Sequence, residues 1–141
     1  MIKALFFDID GTLVSFNTHE IPQSTVDALE QAKRNGVGVY ISTGRPVKLI
    51  NNLHAIEHLI DGYITTNGAY SFIGDKVVSC VDIPLEDART LIRLADEMNF
   101  ATMVVGAKDL TVYHPDEMVD KVFRQLLNVT TWARTSVSTR C

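Results

Sequence analysis

The sequence predicts an α/β fold: the start of a doubly wound parallel sheet, followed by an α+β region of different rhythm. Three observations carry this. Apolar strand-like runs alternate with helical periods over the first 70 residues. After Gly68 the alternation gives way to paired short strands. The composition is that of a globular domain, with 46% hydrophobic and 21% charged residues in 141, far from the low hydrophobicity and large charge imbalance of disordered chains. Strand and helix patterns alternating at these lengths mark right-handed βαβ units.

Residues 2–7 are apolar on both faces, the pattern of a parallel strand covered on both sides. A helix start is expected at Ser24, with Val26, Leu29 and Ala32 at helical spacing and Gly36 as its stop. Residues 37–42 form a second buried run. Pro46 suits the first turn of another helix, with Val47, Ile50, Leu53 and Ile56 along one face. A third strand is expected at 63–65. Beyond it, 70–73 and 76–83 around Gly74-Asp75 read as a hairpin. A helix after Pro84, strands at 101–105 and 110–113, and a last helix after Pro115 complete the pattern. The expected organisation is a sheet core over 1–70, an incomplete α/β cap over 71–127 and an irregular tail over 128–141.

Thirteen Lys and Arg face seventeen Asp and Glu, giving a net charge of -4 and a pI near 5.5. No basic stripe is available to follow a phosphate backbone, so no nucleic-acid partner is expected. The apolar runs are too short for a membrane span, and the N-terminal run is too short for a signal peptide. Cys80 and Cys141 are far apart without metal-ligand spacing, so a reduced, cytoplasmic protein is expected.

Chemistry concentrates in three motifs. Asp8-Ile9-Asp10-Gly11-Thr12-Leu13 directly follows the first strand. Residues two apart on an extended chain project to one side, which puts both carboxylates toward one pocket. Gly11 lets the backbone turn away and leaves room for a ligand. Two close carboxylates repel, so such a pair holds a metal, shares a proton or divides nucleophilic and acid–base work; its plain structural reading is an acidic turn. Ser42-Thr43-Gly44-Arg45-Pro46 combines hydroxyls, an exposed amide and a guanidinium, the donors an anion requires, though an ordinary cap with a surface arginine has the same residues. Thr66-Asn67-Gly68-Ala69 is weak alone, since Asn-Gly commonly marks a turn. Position joins the three: ligands in open parallel sheets bind beyond the carboxyl ends of the strands. The chemistry indicated is phosphoryl transfer assisted by a divalent metal.

These motifs together resemble the haloacid dehalogenase superfamily, and within it the Cof-like sugar-phosphatase branch with its Rossmann-like core. The resemblance spans roughly residues 1–127 and only the front half of such an enzyme. It implies that Asp8 attacks phosphorus to form an aspartyl-phosphate and that Asp10 protonates the leaving group and then activates water. It further implies Mg²⁺ on the Asp8 carboxylate and the Asp10 carbonyl, with Thr43 and the Gly44 amide on the phosphate. Arg45 and Asn67 would reach the phosphate or the substrate body, a small phosphorylated metabolite. The family's later lysine and Gly-Asp motif have no counterpart: Lys108 and Lys121 lie in the cap-like block, and Gly74-Asp75 lies in the hairpin turn. Impaired hydrolysis is therefore expected, or a truncated, non-catalytic phosphate-binding fragment. The first strand, central in this family, would be left with an apolar edge open to self-association. A phosphomutase shares the opening motif. A receiver domain would need its acceptor Asp at the end of strand three, where Thr65-Thr66-Asn67 stands.

Overall fold

The computed structural model describes residues 2–107 and 109–126; Lys108, Cys141 and the tail expected over 128–141 lie outside them. Two compact units divide at Cys80 and Val81. The first holds β1 (Ala4–Phe7), α1 (Gln23–Arg34), β2 (Gly38–Ser42), β3 (Gly62–Thr65), β4 (Tyr70–Ile73) and β5 (Lys76–Cys80). The strands form one sheet in the order β1-β2-β3-β4-β5. β1, β2 and β3 run parallel, and β4 and β5 join antiparallel with a register shift at Ser71/Phe72. The α/β class and the parallel start of the sheet are as expected. The hairpin anticipated at the front of the cap is instead hydrogen-bonded to β3 and belongs to the first unit.

α1 buries Val26 and Leu29 and carries Lys33 and Arg34 in its last turn, where cations offset the partial negative charge of the helix end. It begins at Gln23 rather than at Ser24, because the Thr25 and Val26 amides donate to the Pro22 carbonyl. Its end is a Schellman motif: Val37 N–H donates to the Ala32 carbonyl at 3.0 Å and Gly36 N–H to that of Lys33 at 2.9 Å. Gly36 makes this possible at φ +74°. The core packs Ile9, Leu13 and Val14 of the first loop with Val26, Leu29, Val39, Ile41, Leu53, Ile56 and Leu59.

Two expectations need correction. The segment after Pro46 is not an α-helix but contains two single 3₁₀ turns, Val47–Leu49 and Glu57–Leu59. Ile50 is extended, at φ -89° and ψ 104°, and the Leu49 carbonyl accepts from Arg45 Nη1 at 2.8 Å. That carbonyl would otherwise bond within the next helical turn. The apolar positions still reach the core, without a helix to carry them. Nor is β1 covered on both faces: it is an edge strand, with Phe6 58% exposed and stacked on Tyr40 at 5.0 Å.

Beyond the sheet's amino ends, the Asp61 carboxylate accepts from the Val39 amide at 2.8 Å and from Lys33 Nζ. Burial pushes the Asp61 carboxyl up, but the Lys33 hydrogen bond, the Val39 amide and the Lys33 charge together hold it below its ordinary 3.8. A lowered folded-state value contributes stability above the unfolded pKa that disappears as pH falls through the folded one. Asp61→Asn should therefore reduce stability by about 1 kcal/mol at neutral pH, a modest figure because the pair is about one third exposed. The deficit should shrink below pH 3.8, which urea melts at neutral and acid pH would read.

The second unit contains α2 (Leu85–Met98), the antiparallel pair β6 (Thr102–Val105) and β7 (Leu110–Tyr113), and α3 (Glu117–Lys121) running into a π turn. Asp116 caps α3 by accepting from the Val119 amide at 2.9 Å. Asn99 closes α2 in the left-handed region. Only Ala95 of the apolar α2 face is fully buried, while Leu91, Leu94 and Met98 are exposed.

Candidate active site at the carboxyl ends of the parallel strands

The register brings the three motifs to one rim. Phe7 lies opposite Ile41, which lies opposite Tyr63, and Ser42 lies opposite Ile64. Asp8 is thus one residue beyond β1, Thr43 one beyond β2 and Thr66 one beyond β3, on neighbouring chains about 4.8 Å apart. Asp8 is exposed and Asp10 partly buried.

The loop after β1 is held by its own backbone. The Leu13 and Val14 amides converge on the Ile9 carbonyl at 3.1 and 2.9 Å, and the Gly11 amide donates to the Val14 carbonyl at 2.9 Å. Ile9, Leu13 and Val14 are buried, anchoring the loop while Asp8 and Gly11 stay at the surface. Gly11 has φ +78°, and a Cβ there would meet the Phe16 ring at 2.6 Å. Phe16, which sequence reasoning passed over, borders an open cleft with Gly11, Ser15 and Thr25. An aromatic five residues past a glycine carries no signal of that approach.

Arg45 ties the motifs together. Its Nε and Nη2 donate to Asp10 Oδ2 and Oδ1 at 2.7 and 2.6 Å, a bidentate ion pair. Nη1 donates to the Leu49 carbonyl at 2.8 Å and to Asn51 Oδ1 at 3.4 Å. Its backbone amide donates to Thr43 Oγ1 at 3.1 Å, and its carbonyl accepts from the Thr66 amide at 3.2 Å. The guanidinium is nearly buried, at 6% exposure. Thr43 is also buried and donates its amide to the Ile64 carbonyl.

Thr66, Asn67 and Gly68 all have positive φ, at 52°, 54° and 94°. This is uncommon for non-glycine residues and costly for a β-branched one. The Thr66 and Asn67 amides are taken by the Arg45 and Thr43 carbonyls, so neither is open to an anion. It sets Asn67 against Gly44, where an added Cβ would lie 3.0 Å from Asn67 Oδ1. Gly44 and Asn67 are both exposed.

Of the six predicted residues, the structure joins Asp10 to Arg45 and Arg45 to Thr43 and sets Asn67 close to Gly44; Asp8 stands at the same rim by register. Arg89 and His114 pair with Glu86 and Asp96 in the second unit. For Mg²⁺ the exposed Asp8 carboxylate and the Asp10 carbonyl offer two oxygens. Octahedral coordination needs six, and no group of three or more His, Cys, Asp or Glu able to hold a metal occurs among the described residues. Those two groups alone do not fit a complete Mg²⁺ site. Among the described residues no helix is long and apolar enough to cross a membrane.

An acidic pair, a buried threonine and a glycine turn thus stand together at adjacent parallel strand ends. The chain belongs to the haloacid dehalogenase-like hydrolases, whose family model matches residues 5–136. It is similar to a sugar phosphatase of subclass IIB of that superfamily, BT4131, at 46% identity and a TM-score of 0.86, over 95% of this chain and 52% of that one. A structure from work on a trigonal-bipyramidal intermediate conserved in a phosphoryl-transfer superfamily aligns at 45% identity and a TM-score of 0.89, over 96% of this chain and 53% of the other. YxeH of Bacillus subtilis (strain 168), named as a phosphatase, is 32% identical over 130 residues, 80% of this chain and 47% of its own. The chain thus spans about half the length of the proteins it matches.

Proposed function

We propose that this chain carries the nucleophile and acid–base half of a phosphatase for small phosphate monoesters, with sugar phosphates as the substrate class. The observation that carries this is the Asp8-x-Asp10 pair at the rim where Thr43, Gly44 and Asn67 also stand; the naming of BT4131 as a sugar phosphatase supports the substrate class.

The exposed Asp8 carboxylate attacks phosphorus, and the bond to the leaving oxygen breaks with its electron pair going to that oxygen. Asp10, protonated at the outset, passes its proton there. In the second half-reaction Asp10 takes a proton from water, the water oxygen attacks phosphorus, and the bond to Asp8 breaks, returning the carboxylate. The Thr43 hydroxyl, the Gly44 amide and the Asn67 side-chain amide are the donors to the transferring oxygens. Charge stabilisation is most of what such a site supplies, and these donors are neutral, so turnover by this chain alone is expected to be slow. Mg²⁺ stays the proposed cofactor; with two protein oxygens it would be held weakly, and none of these steps depends on it.

Hydrolysis of p-nitrophenyl phosphate by the purified chain, with Mg²⁺ present, tests the proposal. Turnover above the buffer blank supports it, and a folded chain with none favours the non-catalytic phosphate-binding reading.

We also propose self-association through β1. The edge carries no charge or proline over Ala4–Phe7, and Ile2 and Phe6 beside it are exposed; such edges template pairing. Light scattering should find dimers or larger species that Phe6→Lys shifts toward monomer. A wild-type monomer at every concentration contradicts it.

A further inference from the structure

We infer that Arg45 is a positioning residue for Asp10 and not a phosphate ligand, an inference that rests on the phosphatase reading above. A guanidinium has five N–H donors in a rigid fork. Here Nε and one Nη2 donor grip both oxygens of Asp10, while Nη1 is turned to the Leu49 carbonyl and Asn51. The side chain is 6% exposed, as buried as Thr43 at 5%, so its engaged donors, not its burial, set it apart from a phosphate ligand. An incoming phosphate would have to displace a bidentate carboxylate, whose side chain is 28% exposed, to reach it. The backbone agrees: through its amide and carbonyl Arg45 is bonded to Thr43 and Thr66, which fixes the guanidinium relative to two strand ends. The fork therefore sets the rotation of the Asp10 carboxyl about its Cβ–Cγ bond. That rotation decides whether an Asp10 oxygen faces the leaving group and then the water.

The role has a signature that neither phosphate binding nor plain structural support shares. A misaligned proton donor matters for a basic leaving group and little for p-nitrophenolate, which departs without a proton. Arg45→Lys and Arg45→Ala are compared with wild type on p-nitrophenyl phosphate and on glycerol phosphate, and inorganic phosphate is titrated into each by NMR. The expected result is a loss in kcat/KM, which reports only the step that expels the leaving group, of about 100-fold on glycerol phosphate, a loss in kcat/KM at least tenfold smaller on p-nitrophenyl phosphate, and phosphate affinity within about twofold of wild type. Lysine should rescue little, since a single ammonium cannot reproduce the bidentate fork, and Arg45→Lys should add nothing to Asp10→Asn. Equal losses on the two esters, or a tenfold fall in phosphate affinity, would overturn the assignment. A wild-type chain without turnover counts against the phosphatase reading, and the titration then decides the role of Arg45. A chain that also fails to bind phosphate overturns both.

Discussion

Asp8→Asn should lower p-nitrophenyl phosphate hydrolysis by at least about a thousandfold while leaving the fold intact. An amide is a far poorer nucleophile than a carboxylate, and covalent catalysis is lost when the nucleophile is. The substitution is nearly isosteric, and Asp8 is exposed at the end of β1 with no side-chain hydrogen bond among those described. The unfolding free energy from urea melts should therefore stay within about 0.5 kcal/mol of wild type. A Thr43→Val change makes a useful contrast: it removes the oxygen that accepts the Arg45 amide inside a buried site, so stability should fall with activity. Retained turnover in Asp8→Asn would mean that the carboxylate at the rim is not the attacking group.

The largest effect on stability is expected far from the chemistry, at Gly62. This buried first residue of β3 lies where β2 and β4 both press close. A Cβ there would meet the Phe72 carbonyl oxygen at 2.8 Å, Ile73 Cγ1 at 2.9 Å and Tyr40 Cδ1 at 3.2 Å. The nearest of these is backbone, which cannot swing aside, so relief requires β4 to move off β3. Overpacking of this kind costs about 1–3 kcal/mol, and Gly62→Ala should lower the urea midpoint accordingly at unchanged slope. Because β3 also sets the turn bearing Asn67, phosphate affinity should weaken as well. Gly74→Asn is the control: its turn has φ +53° and nothing within 4 Å of an added Cβ, and asparagine tolerates that conformation. A neutral Gly62→Ala would show that the sheet gives more readily than its packing implies.

The parts of the fold legible from residue order are those where local pattern and tertiary demand agree. The run before Asp8 needed only its apolar residues to be placed as a strand, and Gly36 needed only its position after α1 to be read as a stop. The segment after Pro46 failed because periodicity cannot see a competitor for a backbone carbonyl: Arg45 takes that of Leu49, and the helix implied by Val47, Ile50, Leu53 and Ile56 never forms. The open edge at Phe6 is legible only through the family resemblance, since an apolar strand at a sheet edge and one at its centre look alike until the strand order is known. At the site, the motifs indicated which residues gather but not who holds whom. A buried arginine after Thr-Gly reads the same whether it faces phosphate or carboxylate, and the left-handed turn at Thr66 and Asn67 has no marker stronger than Asn-Gly.

The account stands on Asp8 taking the phosphoryl group. Acid quenching during turnover of a phosphate monoester, followed by mass spectrometry of the digested chain, tests this most directly. The predicted result is one phosphoryl group on the peptide containing Asp8, released by hydroxylamine as an acyl phosphate must be and absent from Asp8→Asn. A phosphoryl group on any other residue, or turnover without an adduct that persists in Asp8→Asn, would contradict it.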